Sequence, residues 1–232
     1  MVDLPGKAMM DYYEDCAAAL LVCYADGTKE EMPLSVYFRD EDEMPGLELV
    51  ALQECFGRVL DVGAGAGAHA LALQAKGLDV VTLDISASAV ELMRLRGVKK
   101  ALQSDVYSFR EGAFDTILML MNGIGLAGDL DGFRRLLRHL GSLLLPGGQL
   151  VFDTSDVAYL YKGKPPTDQE GYYGEIRCRY EYENSATDWF TWLYLDLRTL
   201  ERICQEEGWD MDLLLDDGDD HFLVRARKLG QR

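Results

Sequence analysis

The chain has 232 residues, enough for one sizeable α/β domain and too few for two independent cores of that class. With 48% hydrophobic and 10% aromatic residues it has the material for a buried core, which excludes a disordered chain. A formal net charge of -17 sets up a long-range field that repels phosphate backbones and anionic lipid surfaces, so neither nucleic acid nor membrane is an expected partner.

In chain order, residues 1–57 read as a helical lead-in or lid. Apolar spacing predicts helices over Met9 to Ala25 and Pro45 to Phe56, joined by a polar connection that carries Pro33, Tyr37 and Arg39. The first residues are acidic where a secretory signal needs a basic segment and an apolar run, and the five cysteines are widely spaced with no C-x-x-C pair. Free thiols and a cytoplasmic location are therefore expected. Over residues 58–153 short apolar strands alternate with amphipathic helices, with strands expected at Arg58 to Val62, Asp79 to Leu83, Lys100 to Gln103, Phe114 to Met119 and Gly148 to Asp153. Ser86 and Gly97 bound one of the helices, Gly77 ends another, and Pro146-Gly147-Gly148 is expected to stop the helix that begins near Asp129.

Residues 154–232 change character, because Tyr172 to Tyr182 alternates apolar and polar side chains at period two. Trp189 to Leu195, a helix capped by Asp196 and stopped by Gly208, and a final strand pair over Asp210 to Leu215 and His221 to Lys228 follow. The expected fold is a single α/β domain. It has a doubly wound, mostly parallel sheet of about seven strands with an antiparallel C-terminal part, helices on both faces and a helical N-terminal lead-in.

The strongest chemical signal is Val59-Leu60-Asp61-Val62-Gly63-Ala64-Gly65-Ala66-Gly67-Ala68, a strand that runs into a glycine-rich turn and then a helix near His69. Glycines there let the backbone fold back sharply and lie against a ligand just beyond the carboxyl ends of the strands. The turn alone suits two ligands, since Gly63, Gly65 and Ala68 also satisfy the dinucleotide fingerprint, in which a pyrophosphate rests on the helix N-terminus. Asp61, Asp84 and Asp105, at the ends of the first three strands, favour the other: they form an acidic rim suited to a ligand with hydroxyls, an amine and a positive charge.

The set Asp61-x-Gly63-x-Gly65-x-Gly67, Asp84, Ser104-Asp105, Phe114-Asp115 and Leu145-Pro146-Gly147-Gly148 resembles the class I S-adenosylmethionine-dependent methyltransferases. That resemblance implies S-adenosylmethionine as cofactor, S-adenosylhomocysteine as product and transfer of a methyl group by in-line displacement to a small-molecule acceptor. It further implies that Gly63 and Gly65 approach the methionine part, Asp61 the amino group, Asp84 the ribose hydroxyls and Asp105 the adenine amine. Ala64, Gly67, Ile85, Ser104, Val106, Met121 and Asn122 complete the implied cofactor set. Residues 154–232 would then cover the acceptor side.

Asn122, in the segment after the fourth strand, is the candidate beside the methyl group, with Asp153 and Asp156 as candidate carboxylates should the acceptor need to lose a proton. The Asn-Pro-Pro-Tyr-like run of methyltransferases that act on nucleic-acid amines is absent at this place, which agrees with the acidic charge. Tyr37, Arg39, Tyr172, Arg177, Trp189 and Trp192 are candidates for the acceptor pocket, although strand-spaced rings more often pack in a core. His69, His139 and His221 fall in separate elements, and no metal site or catalytic triad is expected. Two rivals share the motifs: a nicotinamide-dependent oxidoreductase, and a non-catalytic protein that only binds S-adenosylmethionine. The sequence does not set the oligomeric state.

Overall fold

The structure is a computed structural model that describes residues 2–161 and 171–230; Met1 and residues 231–232, the ends of the expected domain, lie outside the described residues. The elements in chain order are α1 (Leu4–Tyr13), β1 (Leu20–Tyr24), β2 (Lys29–Met32), α2 (Gly46–Glu54), β3 (Arg58–Val62), α3 (Ala68–Ala75), β4 (Asp79–Asp84), α4 (Ala87–Arg96) and β5 (Ala101–Gln103). They continue with β6 (Phe114–Met119), α5 (Leu130–Leu143), β7 (Leu144–Ser155), β8 (Glu175–Tyr182), β9 (Ser185–Ala186), β10 (Phe190–Leu193), α6 (Leu197–Glu206), β11 (Trp209–Asp216) and β12 (His221–Lys228). The fold is mixed α/β, with a mostly parallel seven-stranded sheet and a second sheet of five strands.

The chain forms two compact units. The first comprises Met1–Met44, Leu60–Phe109 and Arg177–Phe190. It contributes the run β3-β4-β5 to the larger sheet, with β4 and β5 parallel, and in the smaller sheet β1 lies between β2 and β8, antiparallel to both. The helix expected over Met9 to Ala25 is thus corrected: it ends at Tyr13, and Leu20–Tyr24 is a strand. Ala17-Ala18-Ala19 carries the helical signal, but pairing on both edges of β1 and burial of Leu20, Val22 and Cys23 decide the outcome. Leu4, Ala8 and Met9 of α1, Leu20, Leu34, Ala66, Leu92 and Tyr182 form one buried cluster, each large apolar side chain contributing roughly 1.5–3 kcal/mol.

The second unit comprises Pro45–Val59, Arg110–Ile176 and Thr191–Arg232 and contributes the run β11-β12-β7-β6. β6 and β7 are parallel, while β12 is antiparallel to both β7 and β11, which is the expected antiparallel end. Phe133, Leu136, Leu137 and Leu140 form the buried stripe of α5 at helical spacing, and Phe133 meets Phe152 of β7 at a ring separation of 6.3 Å. The Pro146-Gly147-Gly148 stop is also corrected. α5 ends at Leu143 and the chain enters β7 at once, so that Leu145 to Gly148 are an irregularity inside the strand, where the register jumps from Phe114 opposite Leu144 to Thr116 opposite Gln149.

Candidate functional site

In the first unit β3 leads straight into the glycine turn, where Gly63, Gly65 and Gly67 stand at φ +71°, +54° and +81°, the left-handed region that side chains disfavour. A Cβ on Gly63 would meet nothing within 4 Å, so open space lies against this backbone. One on Gly65 would press on Tyr37 at 3.2 Å, and one on Gly67 would approach Val98 Cγ2 to 2.8 Å. Gly65 N donates to Asp84 Oδ2 and Ser86 N to Asp84 Oδ1, both at 2.9 Å, so Asp84 locks the turn to the end of β4. Ser104 N donates to Asp84 O at 3.0 Å and brings the end of β5 alongside.

Asp61 is buried, and its Oδ2 has no hydrogen-bond partner among the described residues. Burial pushes its carboxyl up to about 6, the charge of His69 opposes this and that of Asp84 adds to it. Burial raises Asp84 as well, against the backbone donors of Ser86, Gly65 and Ile85 that favour its ionised form. An unmet carboxylate oxygen and open backbone two residues on fit a ligand with a cationic amine and a sulfonium. Such a ligand adds counter-charge beside the two carboxylates.

The other expected residues of this unit are placed as follows along the same elements and the smaller sheet. Ile85, beside Asp84, is exposed and offers an apolar surface; Ser104 Oγ donates to Asp105 O; Asp105 Oδ1 caps the turn of Val106–Ser108 by accepting from Tyr107 N at 2.9 Å; and Val106 is buried. Ala64 lies within the turn, accepting from Gly67 N at 2.8 Å. Tyr37 lies against Gly65, its hydroxyl pushed up to about 12 by burial and the Asp84 charge, and Arg39 follows it. Arg177 and Trp189 meet each other instead, the guanidinium 5.6 Å from the ring centre, with Arg179 at 4.9 Å. Arg96 escaped the sequence reading: its Nη1 donates to Ala66 O at 2.6 Å and Tyr37 O at 3.3 Å, tying the turn to the lead-in.

In the second unit Met121 and Asn122 form a left-handed bend after β6. Asn122 N donates to both oxygens of Asp153 at 3.0 Å, and Asn122 Nδ2 to Leu193 O at 3.0 Å. Asp156 accepts from Tyr173 OH at 2.7 Å, Tyr172 OH donates to Asp196 Oδ2 at 2.7 Å, and the Trp192 indole packs on Gly125. Tyr172 and Asp156 are therefore engaged within the unit. His221, which the sequence placed in the last hairpin without a role, lies with its Nε2 2.6 Å from buried Asp153 Oδ2, and this bond raises its pKa. His221 faces Ser155 across β7 and β12, with Asp153 two positions along on the same face, so the pair depends on a register that the sequence alone does not reveal.

The family model described as "Methyltransferase domain" matches residues 38–214. A crystal structure of an S-adenosylmethionine-dependent methyltransferase from Bacteroides fragilis, in complex with S-adenosylhomocysteine, is similar at 40% identity and a TM-score of 0.89, covering 98% of this chain and 95% of that one. Cypemycin N-terminal methyltransferase from a Streptomyces species is 30% identical over 104 residues, 43% of this chain and 42% of that protein, so the match spans under half of that relative. The CcbJ methyltransferase of Streptomyces caelestis shares the fold at a TM-score of 0.63 and 15% identity, covering 81% of this chain and all of that one. Among the described residues no helix is long and apolar enough to cross a membrane.

Proposed function

This chain belongs to the family of methyltransferase domains and is an S-adenosylmethionine-dependent methyltransferase; on that premise we propose that it methylates a small-molecule acceptor by in-line displacement, with Asp61 and Asp84 as the main cofactor-binding carboxylates. The observation that carries the assignment is the buried, partnerless Oδ2 of Asp61 beside the open backbone of Gly63. Asp61 takes the cofactor's amino group, Asp84 the ribose hydroxyls, Ile85 lies against the adenine, and Gly63, Ala64, Gly65 and Gly67 line the turn. Ser104, Asp105 and Val106 form the adenine edge of the site. Met121 and Asn122 serve beside the methyl group, and Tyr37 covers the turn.

The bound cofactor supplies an electrophilic methyl on a sulfonium whose departure leaves a neutral thioether. The chain's part is to hold and desolvate. Asp61 and Asp84 balance the positive charge, and the packed lead-in with Tyr37 against Gly65 keeps water from the turn. The name of the Streptomyces relative, an N-terminal methyltransferase, supports an acceptor that carries an amine. We extend the reading to a single methyltransferase domain over residues 1–232 in the cytoplasm, which the family match over 38–214 and the five free thiols support. Tyr172, Arg177, Trp189, Trp192, Arg39 and Asp156 remain in this proposal as outer residues of the acceptor side.

Isothermal titration with S-adenosylmethionine tests the assignment. Asp84→Ala removes the acceptor for two backbone amides and for the ribose, and affinity is expected to fall on the order of 100-fold. Equal affinity in the variant would sink it.

A further inference from the structure

One face of the smaller sheet carries a charge arrangement that cofactor binding leaves unused. Arg177, Arg179 and Glu181 alternate along β8 and so share a face, in the order cation, cation, anion. Both guanidiniums meet one indole: Arg177 lies 5.6 Å and Arg179 4.9 Å from the centre of the Trp189 ring, which stays 39% exposed. The acid of the row is already spent, because Glu181 is shared between Lys29 and Arg179, whose hydrogen bonds hold its carboxyl down to about 2. Arg177 is exposed and meets no carboxylate among the described residues, and Arg179 Nε is buried without an acceptor. In a chain with 40 acidic residues against 23 basic ones, two guanidiniums therefore crowd one ring with a single, already divided acid between them.

We propose that this face docks an extended acidic segment of a polypeptide partner, whose acids at alternate positions pair with Arg177 and Arg179 over the Trp189 ring. Residues two apart on a strand are separated by about 6.6–6.8 Å, so an extended chain with acids two apart has the spacing of the two arginines. Each guanidinium fork takes a carboxylate through two parallel bonds. Arg177 and Trp189 are both exposed, which suits a segment laid along the sheet, whereas a small anion needs a concave site that engulfs it. A nucleic-acid backbone carries its charge over many units and meets the field of the whole chain. A short acidic segment is decided within the screening length of about 8 Å. The proposal concerns binding alone and stands apart from the methyl-transfer reading.

Calorimetric titration of the whole chain with the capped peptide Glu-Val-Glu-Val-Glu-Val tests this, beside its glutamine counterpart and the block isomer Glu-Glu-Glu-Val-Val-Val. At low salt the alternating acidic peptide should bind with a Kd on the order of 0.1–1 mM, about tenfold below the glutamine peptide and about threefold below the block isomer. Binding should weaken severalfold between about 0.02 and 0.5 M salt and shift a tryptophan emission that Trp189→Leu removes. Arg177→Gln should lower affinity about tenfold, and Arg177→Lys, which keeps the charge without the planar fork, about threefold. Because Arg177 is exposed, the Tm of both variants should stay within about 2 °C of wild type. No binding, equal binding of either control peptide, or unaltered affinity in Arg177→Gln overturns the proposal. So does displacement of the peptide by equimolar inorganic phosphate or a short oligonucleotide. A wild-type dimer in sedimentation that Arg177→Gln dissolves overturns it too, since a second copy would then cover the face.

Discussion

Asp61 turns a buried charge into a handle for ligand binding. Its ordinary value near 3.9 rises to about 6 through burial, so it holds its proton to higher pH in the folded protein than in the unfolded chain. The linked stabilisation is complete below about pH 4 and is lost as pH rises through 6, an effect of roughly 3 kcal/mol. Asp61→Asn should therefore raise the Tm of the ligand-free protein at pH 7.5 and weaken S-adenosylmethionine binding at least about tenfold; calorimetry of both proteins checks each half. Wild-type affinity should increase from pH 5 to 7 as Asp61 ionises, and a variant with the same slope would contradict the assignment. His221 works with the opposite charge. Its pKa is raised by the Asp153 bond, so its contribution is present below about pH 6.5 and is lost as pH rises through the higher folded value. The Tm difference between wild type and His221→Gln should shrink from pH 6 upward. Asp61 was legible in the sequence because strand and turn are contiguous. The Asp153–His221 pair was not, since it is made by two strands far apart in the chain.

At the scale of elements, the capping residues of α4 and α6 read correctly, whereas the Pro146-Gly147-Gly148 punctuation did not, because those residues lie inside β7. Ser86 caps α4 by accepting from Ala89 N at 2.9 Å, Gly97 ends it at φ +98°, and Asp196 caps α6 by accepting from Thr199 N at 2.9 Å. β1 misled because its partner β8 lies at the other end of the chain, and the alanines before it favour a helix on their own. The tie between α4 and the lead-in gives a prediction. Arg96 donates to three carbonyls, of Ala66, Tyr37 and Phe38, and stacks on the Phe38 ring at 4.9 Å. Arg96→Met should lower Tm by several degrees, about 2 kcal/mol, and speed amide exchange over residues 37–40 and 64–67. Gly67→Ala strains a left-handed position and collides with Val98 and Met93; a loss of about 1–3 kcal/mol is expected in urea unfolding, at unchanged m-value.

Across the whole molecule, a net charge of -17 from 40 acidic and 23 basic residues means that folding works against self-repulsion. Raising the salt from 0.02 to about 0.5 M, which shortens the screening length severalfold, should raise Tm and slow the association of the cationic cofactor in stopped flow. A rate indifferent to salt would mean that the acids lie too far from the entry path to steer. Composition made this property readable at once, whereas the second sheet was hidden because no single stretch of chain encodes it. In that sheet Leu20 pairs with Tyr182 and Cys23 with Arg179. During synthesis on the ribosome β1 therefore emerges long before the strand that completes its edge. For most of translation the hairpin of β1 and β2 presents a bare, sticky border to the cell, so a chain cut short before residue 175 should be a client for chaperones and prone to clump, even though its glycine turn has already been made.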